Sequence, residues 1–359
     1  MTPADRPAGV VSSEVAPAEA SSAPARAEAS TAPARAAEPI SSPASSSLRR
    51  ASTVQERRVA EAAVLLVMVF WAGNFIVIKS SLDVLPPVGF TFVRFVIASL
   101  ILLALLRWRE GGVRLVRAAV APIFLLGALG FGLYQILWTT ALGEIRAGDS
   151  AVLIATTPVL AALLAVVVGA DTLRPIRLVG AVLSFAGVVL VVAGGGGLGL
   201  DGSLAGYLVT LLAAVTWATY TVLGVPVLRR VSPLRLTTWA TISGTLVMLP
   251  LGLIQLSGVD PVTLRVETGL AILYSATLAA GVGNVIVLHG VHLLGPTRVT
   301  TLQTLVPALA VVLAAIVLHE PITPGQVGGG GVILLGVALT RRRSWPARLG
   351  GRLRPVADQ

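Results

Sequence analysis

Residues 149–190 read DSAVLIATTPVLAALLAVVVGADTLRPIRLVGAVLSFAGVVL, and residues 298–339 read RVTTLQTLVPALAVVLAAIVLHEPITPGQVGGGGVILLGVAL. Placed over each other without a gap, they agree at five landmarks. Pro158 falls on Pro307, Asp171 on Glu320, Pro175 on Pro324, Gly180 on Gly329 and Gly187 on Gly336, each at an offset of 149 (for instance 307 − 158). Each copy is an apolar segment containing a proline, then a short acidic turn, then a second apolar segment rich in small residues. A period this long is foreign to solenoids, whose units run to about 20–50 residues, and suits a duplicated helical bundle.

Composition sets the class around this repeat. Of 359 residues, 55% are hydrophobic and 12% charged, and the mean hydropathy is +0.86. An ordinary globular domain carries roughly 25% charged residues, so this chain cannot cover a soluble core. Its apolar runs approach or exceed the roughly 18–20 residues that cross a hydrocarbon core. Long runs without alternation exclude a barrel, which leaves helices as the spanning structure. The fold class expected is an all-α membrane protein.

Ten spans follow, at roughly 62–81, 88–106, 118–139, 148–169, 176–193, 204–224, 236–255, 268–290, 297–318 and 325–340. The last is short, and its Gly328–Gly331 run points to close packing on a neighbouring helix. Residues 1–58 are Ala, Pro, Ser and Arg with few large apolar side chains, a composition that predicts disorder. The organisation is then a disordered tail over 1–58, five helices over 59–197, five more over 203–340, and a basic tail over 341–359.

Arginine placement predicts orientation. One set of loops holds Arg107, Arg109, Arg114, Arg117, Arg174, Arg177, Arg229, Arg230, Arg235 and Arg298, and the C-terminal tail adds six more arginines. The opposite loops hold only Arg146 and Arg265, with Lys79 at a span edge. Both termini are therefore expected in the cytoplasm of a bacterial inner (plasma) membrane. Because five spans separate the copies, the second runs upside-down relative to the first. The front halves echo each other at an offset of 146, with Trp71 against Trp217 and Pro87 against Pro233. Inverted five-helix repeats are the architecture of alternating access.

The net charge of +10 is no nucleic-acid signal, because the arginines sit in tails and loops without interleaved aromatics. The absence of cysteine excludes disulfides, thiolate metal sites and cysteine nucleophiles. No metal-binding or nucleophile–base spacing appears, so neither an enzyme nor a cofactor is expected. The Gly194–Gly197 and Asp201-Gly202 connector lacks the strand-to-helix context of a phosphate loop, and Ser203 there reads as a helix cap.

Several of these residues together resemble the EamA family of the drug/metabolite transporter superfamily. Repeat one opens with Trp71-Ala-Gly-Asn74-Phe, continues through Pro86-Pro87 to Arg94-Phe95, and then through Ala141-Leu142, Pro158, Asp171 and Gly180 to Gly187. Repeat two matches from Leu294-Gly295 through Pro307, Glu320 and Gly329 to Gly336. The likeness covers about residues 60–340. It departs at Asp171, where the family more often has Glu, and at Ala240, which stands at the offset where Arg94 would find its counterpart. The resemblance implies ten helices around a central cavity and the movement of small metabolites.

Polar groups within spans mark the candidate site. Arg94 reads as the one charge well inside a span, either meeting a substrate carboxylate or tying helices together. Trp217, Tyr220, Thr221 and Gly224 share one helical face, as do Thr300, Gln303, Thr304 and Pro307. Trp71 pairs with Asn74 in the first span and Tyr134 with Trp138 in the third. Thr300, Gln303 and Thr304 correspond to Ala151, Ile154 and Ala155, so repeat two is expected to supply polar recognition and repeat one an apolar wall. Pro158 and Pro307 each free a carbonyl near mid-span, as a hinge or as a fixed kink. Asp171 and Glu320 precede helices that begin with proline and read as structural charges at helix N-termini.

No carboxylate is expected deep in a span, which disfavours proton exchange for cations. His289 and His292 leave proton coupling open. The function expected is a secondary transporter that exports a small neutral or zwitterionic, amino-acid-like metabolite. The alternatives are a passive channel or facilitator and a non-transporting sensor or scaffold. The partners are a small-molecule substrate and the lipid bilayer, with no nucleic acid; a homodimer stays open.

Overall fold

The structure is a computed structural model that describes residues 43–172, 175–194, 203–260 and 265–341. The chain divides into two units, Met1–Arg50 and Ala51–Gln359, and the second carries the bundle. Most of the tail expected to be disordered, the connector with its Ser203 cap, and the basic C-terminal tail fall outside the described residues. From Pro43, however, the chain is helical through Ser81, so the last part of the expected tail is helix.

The described residues contain helices and no strand. Among the described residues, nine helices are long and apolar enough to cross a membrane: α1 (Gln55–Ser81), α2 (Pro87–Glu110), α3 (Arg117–Glu144), α4 (Ala147–Val167), α5 (Pro175–Gly194), α6 (Leu204–Val227), α7 (Pro233–Ser257), α8 (Val266–Val291) and α9 (Arg298–Val317). A shorter apolar helix, α10 (Pro324–Thr340), completes the ten expected. Proline occupies the first turn of α2, α5, α7 and α10, where its missing N–H costs nothing.

Residue size sorts the faces of each helix. Along α5 the exposed side chains include Leu178, Val179, Val182, Phe185, Val189 and Leu190, whereas Gly180, Ala181, Ser184 and Gly187 are among the buried. Bulk toward lipid and small residues toward a neighbouring helix is the membrane pattern, because lipid tails are as apolar as leucine and close backbone approach drives association. The neighbour is α10. A Cβ at Gly187 would lie 2.6 Å from the Gly329 carbonyl oxygen, and one at Gly180 the same distance from that of Gly336. Within the Gly328–Gly331 run, Gly329 packs on α5 and Gly330 meets Val152, but Gly328 and Gly331 face open space.

These contacts also give the relation between the repeats. Gly180 corresponds to Gly329 in sequence but meets Gly336, while Gly187 corresponds to Gly336 but meets Gly329. Between the two crossings Ser184 Oγ donates to the Ile333 carbonyl at 3.3 Å, and these residues are 149 apart, each the other's counterpart. In the front halves, Ser99 and Thr245 share a hydrogen bond of 3.1 Å across α2 and α7, and they are 146 apart, the offset of that half. Antiparallel helices meet residue-to-counterpart only where a two-fold axis passes between them. The two five-helix repeats are therefore inverted.

Two kinds of irregularity recur in both copies. The α4 span is broken into Ala147–Ile154 and Thr157–Val167, and the α9 span into Pro296–Gln303 and Leu305–Val317. Pro158 and Pro307 sit in the first turn of the second pieces, so the prolines produce interruptions rather than simple kinks. The α3 and α8 spans each contain a π-helical segment, Ala128–Leu133 and Ser275–Val282. Irregular backbone at membrane depth survives only where it is enclosed by protein or lines a cavity.

Candidate functional site

Both breaks and both π segments border one central cavity of about 320 Å³. It is lined by Trp71, Asn74 and Phe75 of α1, Arg94 and Phe95 of α2, Phe131, Tyr134, Gln135 and Trp138 of α3, and Trp217 of α6. The broken helices add Ala151, Ile154, Ala155, Thr157, Pro158, Gln303, Thr304, Val306 and Pro307, while α8 adds Ala279, Ala280 and Asn284. A few polar groups in an apolar, aromatic wall is the usual composition of a small-molecule site.

Arg94 is only 2% exposed. Its two terminal nitrogens donate to Gln135 Oε1 at 2.7 Å and Ser275 Oγ at 3.1 Å, and its guanidinium carbon stands 4.7 Å from the centroid of the Phe95 ring. Ser275 Oγ donates in turn to Asn74 Oδ1 at 2.5 Å. One polar chain thus joins α1, α2 and α3 of repeat one to α8 of repeat two. The π segments set up this meeting. The extra residue per turn before Tyr134 rotates Tyr134, Gln135 and Trp138 toward the cavity, and Ser275 opens the matching segment of α8.

The aromatic wall is a connected set. Tyr134 and Trp138 stack with centroids 6.0 Å apart and planes within 2°. Phe75 meets Trp138 edge-on at 5.0 Å, and Trp217 approaches Tyr134 at 5.0 Å. Two indole N–H groups are engaged by the protein itself, Trp71 Nε1 by the Ala279 carbonyl (3.0 Å) and Trp138 Nε1 by Ser150 Oγ (3.2 Å). What these two rings offer a substrate is their apolar faces.

At the arginine-poor face, the first piece of α4 packs against the second piece of α9, and the contacts around it are polar. Glu320 accepts from the backbone N–H groups of Ala147 (2.8 Å) and Gly148 (3.2 Å), at the open N-terminus of α4. Beside them Asp149 is fully buried and accepts from Tyr207 Oη (2.6 Å), Gln326 Nε2 (3.0 Å) and Arg146 (2.9 Å). Lys79 Nζ donates to the carbonyls of Leu142, Gly143 and Ile145 at 2.7–3.0 Å. Arg146 lies between spans, where its burial favours the neutral form but Asp149 outweighs that and raises its pKa.

Two further charges are buried, at span ends. Asp149 sits in the first turn of α4, compensated by an arginine and two hydrogen-bond donors. Arg177, in the first turn of α5, is 5% exposed and pairs with Asp171 at 2.5 Å. Neither lies deep within its span, as Arg94 does. Glu320, read from sequence as a charge at the N-terminus of the helix it precedes, accepts instead from the first turn of α4 in the other repeat.

Trp71, Asn74, Arg94, Tyr134, Trp138, Trp217, Gln303 and Thr304 all line the cavity, together with Pro158 and Pro307. Tyr220 and Thr300 do not. Tyr220 stands one layer behind, 5.1 Å from Trp217 and 5.3 Å from Phe131, packed on Gly130, and Thr300 is half-buried along the first piece of α9. Gln135, Asn284 and Thr157 also line the cavity and Ser275 bonds Arg94, none of them expected. Each was visible as a polar residue in an apolar span, and Gln135 lies three residues before Trp138, at helical spacing.

The EamA-like transporter family model matches residues 58–193 and again 204–342. An uncharacterised transporter of Archaeoglobus fulgidus is 32% identical over 77% of this chain and 94% of its own length. A probable terminal-alkyne amino-acid exporter of Streptantibioticus cattleyicolor is 30% identical over 79% of this chain and 93% of its own. A probable amino-acid metabolite efflux pump of Salmonella typhimurium is 28% identical over 76% and 91%. A solved crystal structure overlays with a TM-score of 0.57 at 20% identity, covering 83% of this chain and 100% of that one, which shows a shared fold. With two matched repeats and a relative at 32% identity along nearly its whole length, the chain belongs to the EamA-like transporter family: it is a multi-pass membrane transporter of small molecules.

Proposed function

We propose that the protein exports a small amino-acid-like metabolite across a bacterial inner membrane by alternating access, with both termini in the cytoplasm and no catalytic step. One observation carries the reading. The counterpart helices α4 and α9 of two inverted repeats are both interrupted at the central cavity, and both interruptions line it. Broken counterpart helices around one site let each repeat adopt the other's shape, which moves the opening from one face to the other. The substrate class is supported by the one charge among the described lining residues, set among aromatic faces, and by the two relatives named for export of amino acids or their metabolites. In the conformation described, α4 and α9 pack together at the arginine-poor face, which this reading assigns to the outside.

The test is transport in sealed proteoliposomes loaded with a mixture of amino acids. Efflux of at least one against its gradient, coupled to an imposed ion or pH gradient, is the expected result. Equilibration that stops at equal concentrations would convert the reading to a passive facilitator. No flux of any amino acid would remove the proposed substrate class.

A further inference from the structure

We propose that Arg94 is the seat of a substrate carboxylate, and that this carboxylate rather than an amino group is what the transporter requires. The inference rests on the amino-acid-like reading above and narrows it. Arg94 lines the cavity at 2% exposure, yet both of its hydrogen-bonding partners, Gln135 and Ser275, are neutral. Among the described residues no carboxylate lies within ion-pair distance of it, and its buried Nε has no hydrogen-bond partner. Neutral oxygens orient a guanidinium fork without neutralising it. A buried cation in this state is short of one negative charge, and an incoming carboxylate supplies that charge together with an acceptor for the free donor.

The rest of the wall does not offer the mirror-image site. Arg94 is the one charged side chain among the described residues that line the cavity, so an ammonium group finds no carboxylate there. Only aromatic faces, such as those of Trp71 and Trp138, face a cation, and these attract it weakly beside a full counter-charge. The apolar body of the substrate has a clear place between Phe75, Tyr134, Trp138 and Trp217. A carboxylate at one end and an apolar group at the other are therefore the required features, and an amine is tolerated. Because Arg94 belongs to repeat one and its partner Ser275 to repeat two, the bound anion sits on a link between the two inverted halves.

Three probes of one size separate the possibilities: leucine, 4-methylpentanoate (no amine) and leucinamide (no carboxylate). Binding to the full-length protein is read from the fluorescence of the cavity tryptophans, and exchange is read by counterflow in proteoliposomes. The acid is expected to bind within a few-fold of leucine, and the amide about tenfold or more weakly than either. Arg94→Gln should remove that discrimination, and Arg94→Lys should retain a preference for the acid. An amide that binds and exchanges as well as the acid on the unmodified protein overturns the inference while leaving amino-acid transport standing. If none of the three binds or exchanges, the inference falls together with the reading on which it rests. The native panel decides even where Arg94→Gln fails to fold.

Discussion

Replacing Glu320 by Ala removes the acceptor of two backbone N–H groups at the start of α4, Ala147 N at 2.8 Å and Gly148 N at 3.2 Å. Loss of a side-chain cap at a helix N-terminus costs about 1–2 kcal/mol, part of it the attraction between a carboxylate and the positive end of the helix dipole. The contact crosses from one repeat to the other, and on the proposed alternating-access reading it breaks when the arginine-poor face opens. Its loss should therefore raise the ratio of outward-open to outward-closed molecules by about 5–30-fold. The protein has no native cysteine, so a single Ala155→Cys reports on cavity access without background. A membrane-impermeant maleimide applied from the arginine-poor side should label Ala155→Cys 5–30-fold faster with Glu320→Ala than without it, on the cited range. Arg298→Ala breaks an exposed pair with Glu61 near the opposite face and should not raise that rate. A rate that is unchanged or lower with Glu320→Ala would refute the gate, leaving Glu320 as a local brace.

Three further outcomes follow from the same geometry. Gln303→Ala should impair transport far more than Ile154→Ala at equal expression, because both positions line the cavity but only Gln303 offers it polar groups; equal losses would dismiss the contrast between these counterpart positions. The expected division into a polar and an apolar repeat has already failed, since Asn74, Arg94 and Gln135 of repeat one also line the cavity. Gly187→Ala should lower the melting temperature, as its Cβ meets the Gly329 carbonyl at 2.6 Å and forces α5 and α10 apart at about 1–3 kcal/mol, whereas Gly331→Ala faces open space and should be neutral or stabilising. Pro307→Ala restores an amide able to bond the Gln303 carbonyl and should slow transport while the melting temperature holds or rises, which would separate a working break from a passive one.

Much of the fold was legible because its signals are local or repeated. Span lengths, the arginine asymmetry and the 149-residue offset need no knowledge of which helix meets which. The aromatic and amide pairs Trp71–Asn74 and Tyr134–Trp138 were legible for a similar reason, since each lies on one helical face and both reached the cavity. What eluded the same reasoning is set between helices. Gln135 shares helical spacing with Trp138, but its partner Arg94 belongs to another helix, and a span read by itself cannot anticipate that meeting. Tyr220 shares its face with Trp217 but sits behind it, because the stripe is wider than the part of the cavity it meets. Asp149 was not singled out in the sequence, and only the convergence of Arg146, Tyr207 and Gln326 from three segments offsets the cost of its burial.

By itself, the amino-acid sequence determined that this chain is a duplicated helical membrane protein with inverted halves. Hydrophobic length, arginine bias and an odd number of spans per repeat are each properties of the chain read in one dimension. Tertiary structure alone decided which copy's groups complete the other's. Glu320 closes the helix of repeat one, Ser275 steadies the arginine of repeat one, and Gly180 meets Gly336 rather than its counterpart. The physical reason is the two-fold axis. In an antiparallel pair a residue meets its own counterpart only where the axis crosses, and everywhere else its partner is set by distance from that axis, a quantity that exists only once the helices are packed.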